Sequence, residues 1–501
     1  MLFAVTAGAE WLINGTTAGD QQLFAESNRA VALAPNGTFV VTWSSAGQDG
    51  DGWGVYAQMY DSAGATLGGE FLVNTTTAGD QRNSAIAMDS SGNFVIVWSG
   101  QDGGGYGIYG QRFDAAGVAQ GGEFLINTTT ADDQHLGSVA MDSDGDFVVV
   151  WASNNQDGGG WGIYGQRFDS AGIAQGGEFL VNTYTADDQT TPSVAMDSDG
   201  NFVVAWQSNL QDGSNWGVYA QRYSAAGVAQ GTEFRVNSTT SQFQRNPSVA
   251  MSPAGTFVIA WAGRDQGMTS GIFAQRYDAD GVAQGSEFQI NQTTADKQDY
   301  PSIGMDASGR FVVTWSSNLQ DGDGYGIYAR CYSAGGGALT GEFLVNTTTA
   351  DNQQYSTVGI DGNGNFVIAW SSALQDGDGW GVYGQRYVEP AINITPTSGL
   401  VVTEAGGTAT FDVVLNSPPA ADVTFTLSSN DLTEGTISTG SLTFTPANWY
   451  IAQTVSVTGV NDNVDDGDVA FTITTNAASS ADGNYNGLDP SDVSVTNADD
   501  D

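Results

Sequence analysis

A chain of 501 residues with 56 Asp and Glu against 13 Lys and Arg carries a formal net charge of −43. That excess of acid argues against nucleic acid and anionic membranes as partners, since both are held by basic surfaces; one Cys and one His argue against a disulfide framework and a His-based metal or catalytic centre. No segment is long and apolar enough to insert in a membrane. The opening MLFAVTAGAE has no basic flank and too short an apolar run for a signal peptide, so an exported form takes its signal from elsewhere.

In chain order, the first recognisable word is GAEWLIN at 8–14, which returns later as GEFLVN, GEFLIN and TEFRVN. It belongs to a set of words repeated seven times. The most constant member is an apolar run ending in tryptophan, at Trp43, Trp98, Trp151, Trp206, Trp261, Trp315 and Trp370. A fixed interval of roughly 55 residues marks stacked or radial repeats. One repeat reads SVAMD (193–197), a turn Ser198-Asp199-Gly200, FVVAW (202–206), a Gly-rich loop, WGVYAQRY (216–223), a second turn and TEFRVN (232–237). The Asp-x-x-Gly turn supplies the positive φ that a tight hairpin requires. FVVAW, apolar almost throughout, suits a strand covered on both faces. Four short antiparallel strands repeated seven times predict an all-β fold, a seven-bladed β-propeller over residues 1–388. A β-solenoid is the competing architecture.

The seventh repeat ends at Tyr387 without a fourth strand, and the orphan word at the amino terminus predicts how the ring closes. Residues 9–14 pair antiparallel with 381–388, with Glu10 across from Arg386, and no sheet edge is left exposed. The same hairpin reasoning pairs Arg112, Arg167, Arg222, Arg276 and Arg386 of the QRF or QRY words, with Arg330 in an ARCY variant, to glutamates of the outer strand: Glu70, Glu123, Glu178, Glu233, Glu287 and Glu342. Repeat one has Met59 at the arginine position.

In a propeller, the loop after the tryptophan strand and the blade-to-blade loop share one face. That face then carries Asp49, Asp102, Asp157, Asp212, Asp321 and Asp376 from QDG words, and Asp20, Asp80, Asp133 and Asp188 from the loops between repeats. Beside them stand Trp53, Tyr106, Trp161, Trp216, Tyr325 and Trp380, each between glycines or nearly so. Aromatic faces among acids and amides suit stacking on sugar rings, which makes these six the candidate ligand-binding residues. Packing between blades accounts for them equally well. The fifth repeat, GRDQGMTSGIF (263–273), has lost the aromatic and most of the acidity. DSDGD at 142–146 lacks the late glutamate of a calcium loop and reads as a hairpin turn.

After Tyr387 the period breaks at VEPAINITP, and no Lys or Arg follows. AINITP, TATFDVVLN, DVTFTLSSN, SLTFTP, QTVSVTGV, VAFTITTN and DVSVTNA read as strands of an immunoglobulin-like sandwich over 389–501. The words VVTEAGGTATFDVVL, SLTFTPANW, VSVTGVNDNVDDGD and VSVTNADDD resemble a Calx-beta domain. That resemblance implies a calcium-capable sandwich with its ligands at one tip: Glu404, Asp431, the loop acids Asp462, Asp465, Asp466 and Asp468, and the closing Asp499 and Asp500. Hard oxygens from several loops are also what calcium needs on chemical grounds. Asn461 and Asn463 leave this loop less acidic than in calcium-sensing members of that family. The repeats over 8–388 resemble those of very large bacterial secreted or surface proteins, adhesin-like, in which such words precede Calx-beta or similar modules; this implies an extracellular setting.

The resulting expectation is an extracellular or cell-surface binding and adhesion protein rather than an enzyme. A rigid ring displays acidic and aromatic loops to a glycan or to a cell-surface or matrix protein, and a calcium-dependent sandwich acts as a spacer. A carbohydrate-binding lectin and a polysaccharide-active enzyme are the alternatives. Paired acids at a propeller mouth can do acid–base work, yet an enzyme's centre breaks repeat symmetry, and no singular constellation stands out here.

Overall fold

The computed structural model describes residues 6–25, 29–101, 104–264, 269–461 and 467–499. Ala9–Arg386 form one compact unit; the chain from Tyr387 onward forms a second, to which Thr6–Ala7 belongs by pairing with Tyr387 and Val388.

In the first unit each repeat folds as one antiparallel sheet, and seven such sheets follow one another among the described residues. The fourth is representative: Gln189–Met196, Phe202–Asn209, Trp216–Tyr223 and Ala229–Arg235. Hairpins set the register, with Trp206 opposite Tyr219 and Phe202 between Met196 and Tyr223. Alternate residues of one strand face opposite neighbours, because a strand has a period of two. Val149 and Trp151 pack on Ala85, Val95 and Val97 of the sheet before, while Val148, Val150 and Ala152 pack on Phe202, Val204 and Trp206 of the sheet after. This explains why the tryptophan strand is apolar throughout: both its faces are core, and all seven tryptophans are at most 1% exposed. The seventh sheet packs on the first through Val367 and Ala369 against Phe39, Val41 and Trp43. Radial sheets of this kind form a β-propeller.

The inner strand differs from its sequence reading. SVAMD marks only its second half, and the strand begins at Gln189. Between them the register slips: Thr190 faces Gln207 but Ser193 faces Ala205, with Thr191 at φ +54°. The polar words before SVAMD read as loop because a bulge sits inside the strand.

The seam forms as expected. Trp11 and Leu12 lie opposite Gly384 and Tyr383, and the Ile13 amide donates to the Val382 carbonyl at 2.8 Å. The partner expected for Glu10 is wrong, however. Its carboxylate accepts from the amide and hydroxyl of Thr347, the Thr348 hydroxyl and the Gln375 amide, not from Arg386. The other glutamates do likewise: Glu70 accepts from Gly15, Thr16 and Gln48, and Glu342 from Gln292, Thr293 and Gln320. The arginines reach instead to the next blade's outer turn, Arg112 to the Ser170 carbonyl and Arg167 to the Ala225 carbonyl, each at 2.7 Å. Register explains the correction. Glu123 precedes Phe124, which lies opposite Gly110, so Glu123 stands beside the Gln111 position, one residue from Arg112. Adjacent strand residues point to opposite faces.

Two variants follow the same logic. Cys331 lies opposite Val312 as Arg112 lies opposite Val95, so Cys331 takes the arginine position. Arg330 therefore belongs to the other face, donating to the Thr340 and Ile290 carbonyls. Met59 presses on the Gly117 turn as Arg112 presses on Gly172.

The second unit is a two-sheet sandwich. One sheet has the order Ile392–Thr395, Thr408–Leu415, Gln453–Gly459, Gly435–Ile437. The other runs Leu400–Thr403, Val493–Ala498, Val469–Thr475, Val423–Ser429, Ser441–Phe444, with Ser479–Ser480 on Val423–Ser429. All seven segments read from the sequence are strands. Phe411, Val413, Phe425, Phe444, Val455, Val457, Phe471 and Ile473 fill the space between the sheets.

Candidate functional site at the channel mouth

Chain direction brings the start of the inner strand, the loop after the tryptophan strand and the blade-to-blade loop of every repeat to one face. Hydrogen bonds between these loops fix that face. The Trp53, Trp161 and Trp380 amides donate to Asp80, Asp188 and Asp20, and the Gly79 amide donates to Asp51. The QDG acids are bound within their own turns: Asp157 accepts from the Gly159 amide and Asp212 from the Ser214 amide, each at 3.1 Å. A Cβ at Gly217 would lie 2.8 Å from Asp212 Oδ2, and Gly54, Gly162, Gly326 and Gly381 likewise make room for a carboxylate. Asp102 lies outside the described residues.

Trp53, Tyr106, Trp161, Trp216, Tyr325 and Trp380 are all half-buried. Trp53 meets Phe24 edge-on at 5.3 Å between ring centroids. Tyr106 lies 4.5 Å from His135, its hydroxyl bonds Asp80 at 3.2 Å, and the Arg82 guanidinium lies 5.4 Å from its ring centroid. His135 in turn lies 6.0 Å from Trp161, which also packs on the core between blades three and four. These rings join packing to partial exposure, and Tyr106 and Trp161 touch residues that open the inner strands.

Those opening residues were not singled out by sequence reasoning. Gln22, Arg82, His135, Thr190, Arg245, Asp299 and Gln354 occupy one equivalent position around the mouth, each just after a buried glutamine. The next residue sits in the bulge. Asn83, Leu136, Thr191, Asn246, Tyr300 and Tyr355 all have φ between +53° and +61°. A left-handed backbone is costly for branched or bulky residues, and such strain collects at functional sites. The signal was available in the sequence: when the seven words are superposed, the framework is nearly copied and these two positions are not.

Below the mouth the inner strands line an axial channel with Leu33, Met88, Met141, Met196, Met251 and Met305. Arg29 enters it and donates to the Val249 carbonyl at 2.7 Å. Burial lowers the Arg29 pKa to about 10, still charged at neutral pH. Burial also holds the His135 imidazole below its usual value, against the opposing charge of Asp133. At pH 7 the ring is therefore neutral, donor at one nitrogen and acceptor at the other. Flat aromatic faces, a neutral imidazole, a guanidinium and carboxylates around one opening suit a polyhydroxylated ligand.

In the sandwich, Glu404 is 4% and Glu434 5% exposed, and the Asn497 side-chain amide donates to Glu434 at 3.2 Å. The Glu404 amide donates to the Ala498 carbonyl. Asp468 accepts from the Asp499 amide, and Asp499 from the Gly467 amide. Asp431 turns into its own loop: the Thr433 hydroxyl and amide donate to it and lower its pKa. Asp462, Asp465, Asp466 and Asp500 lie outside the described residues. Among the described residues no three Asp, Glu, His or Cys side chains converge on one metal position. Glu434 is a member of this tip that the sequence did not flag.

No family model matches the chain, and no curated protein does. Solved structures are similar to it. They include the polysaccharide lyase Uly1, at TM-score 0.48 and 11% identity over 74% of this chain and 90% of that one. The β-propeller domain of the Trilobed protease from Pyrococcus furiosus has TM-score 0.44 and 10% identity over 74% and 94%. The Hadza microbial sialidase Hz136 has TM-score 0.39 and 12% identity over 66% and 73%. At these identities the likeness is one of architecture.

Proposed function

We propose that this protein is an extracellular binding module in which a closed, seven-bladed propeller takes a carbohydrate at its channel mouth. The observation that carries the reading is the coincidence of three features at one opening: half-buried aromatic rings, strained left-handed residues, and polar side chains that differ from blade to blade. The rings and the left-handed backbone recur from blade to blade, while the polar side chains beside them change, as a ligand without sevenfold symmetry would require. Glycan-array binding of the full chain tests it. Trp161→Ala is expected to weaken binding about tenfold by removing a stacking face, with the chain still folded and the midpoint lowered only by the packing the ring gives up. Unchanged binding with a lowered midpoint would make Trp161 a packing residue and sink the reading.

The sandwich is proposed as a Calx-beta-type spacer that takes calcium at its tip, in an adhesin-like chain. Glu404, Glu434, Asp468 and Asp499 would supply hard oxygens for calcium only by drawing together, since no three acids converge on one position among the described residues. Scanning calorimetry of the full chain in calcium and in chelator is expected to show a calcium-dependent rise in one transition. Superimposable traces would reject the calcium site.

A further inference from the structure

We infer that the glycan is an acidic one, and that its carboxylate or sulfate is received at blades five and six by Lys297 and Arg245. The inference rests on the carbohydrate reading above and adds the charge of the ligand.

The residue just before each inner strand is Asp20, Asp80, Asp133 and Asp188 in blades one to four, then Phe243, Lys297 and Asn352 in blades five to seven. The ring of acids therefore breaks over three consecutive blades. The same sector gains cations. Arg245 follows Gln244, and Arg264 comes just after the neighbouring strand Phe257–Gly263, its amide bonded to the Phe243 carbonyl. The loop between blades four and five, SerThrThrSerGlnPheGln (238–244), holds no acid, and the next loop keeps Asp296. In a chain with 13 basic residues and a net charge of −43, three cations at one place on one face are a local departure from the acidic average.

The cations are held in a fixed arrangement. Asp299 bridges blades five and six, 3.0 Å from Arg245 and 2.7 Å from Lys297, and its side chain is fully buried. The cations remain 31% and 42% exposed. The buried carboxylate thus offsets one of the two charges, and both cationic side chains stay partly open to solvent. Arg245 is further positioned over the Phe243 ring, 4.5 Å from its centroid. Beside the triad, Tyr300 and Tyr355 meet edge to face at 5.1 Å, joining blades six and seven. A pair of cationic donors flanked by aromatic rings matches a sugar ring bearing an anionic substituent.

The test uses the full chain in chelator, so that calcium cannot bridge acidic groups, with three probes: neutral galactan oligosaccharides, oligogalacturonate and a sulfated galactan oligosaccharide. One or both acidic probes are expected to bind more tightly than the neutral one, and their relative affinity tells carboxylate from sulfate. Lys297→Gln leaves Asp299 paired with Arg245 and should weaken acidic binding about tenfold, with little change for the neutral probe. Lys297→Arg should restore it. Equal binding of neutral and acidic probes, or acidic binding that ignores Lys297→Gln, overturns the inference while the carbohydrate reading stands. Binding of no probe and of no glycan on the array overturns that reading as well.

Discussion

Two rings of polar residues girdle the propeller, and they obey opposite rules. In the outer ring, Glu10, Glu70, Glu123, Glu178, Glu233, Glu287 and Glu342 all take hydrogen bonds from the loop that leaves the preceding blade. Seven equivalent positions hold one residue type doing one job. In the inner ring, seven equivalent positions hold Gln, Arg, His, Thr, Arg, Asp and Gln. The difference separates scaffold from site without any second sequence. A residue copied around a ring serves a need that recurs at every blade joint, and positions that change are where a ligand lacking the ring's symmetry would be told apart.

The largest way to disturb this comparison is to remove a blade's last strand. Deleting residues 1–15 takes away Trp11, Ile13 and Asn14, which pack or bond against the first and last blades. The thermal midpoint should fall by on the order of 5–10 °C, with aggregation through the exposed edge. An unchanged midpoint would mean that the ring holds without its seam.

A smaller effect is expected from one outer glutamate. Glu342→Ala leaves the Gln292 and Thr293 amides without their acceptor and should cost about 2 kcal/mol in denaturant unfolding. Acid should reproduce part of this loss. Burial alone pushes the Glu342 and Glu123 carboxyls up, but the Thr293 and Gln292 donors, and those of Thr76 and Thr75, outweigh it and hold both below the usual range. A carboxyl with a depressed folded pKa stabilises fully above its unfolded value of about 4.3 and loses that contribution as pH falls through the folded one. Stability should therefore be insensitive to these groups between pH 7 and 5 and decline below about 4.3. A decline already complete at pH 5 would assign it to other groups.

The smallest effect on stability, and the sharpest on function, belongs to the inner ring. His135→Thr installs the residue that blade four carries as Thr190, and should change unfolding free energy by only about 1 kcal/mol, the ring contacts with Tyr106 and Trp161 being lost. Glycan selectivity should change nonetheless. A loss of several kcal/mol would place His135 in the scaffold.

Much of the scaffold was legible because it is written seven times. The tryptophan strands, the Asp-x-x-Gly turns and the orphan word at 9–14 rest on local spacing, and the sheets follow that spacing. Two kinds of information were not local. Which face Glu123 and Arg112 take depends on a bulge that slips the register between Gly110 and Arg112, and no residue type announces it. The mouth was obscured for the opposite reason: words such as QRNS, QHLG and QDYP differ, so they looked like loop rather than strand. In the sandwich, Glu404 was readable from a resemblance, but Glu434 comes to the same end only through the Val460–Glu434 and Asn497–Glu434 bonds.

The seam also sets how the ring would behave under load. Along it, Thr6 faces Val388, Ala7 faces Tyr387, Trp11 faces Gly384 and Leu12 faces Tyr383. The two strands run antiparallel with residues 6 and 388 at the same end, so tension between them strains one pair at a time, as a zipper opens. Within the other blades, hairpins join each strand to the next, and such a pull does not reach them. The closure therefore yields first, at a force set by a few pairs, and slack chain is released before any core is exposed elsewhere. Once tension drops, a tethered strand has only a short distance to search for its groove. A stretched chain of this design would give way and recover at one joint, much as a resettable fuse protects the circuit behind it.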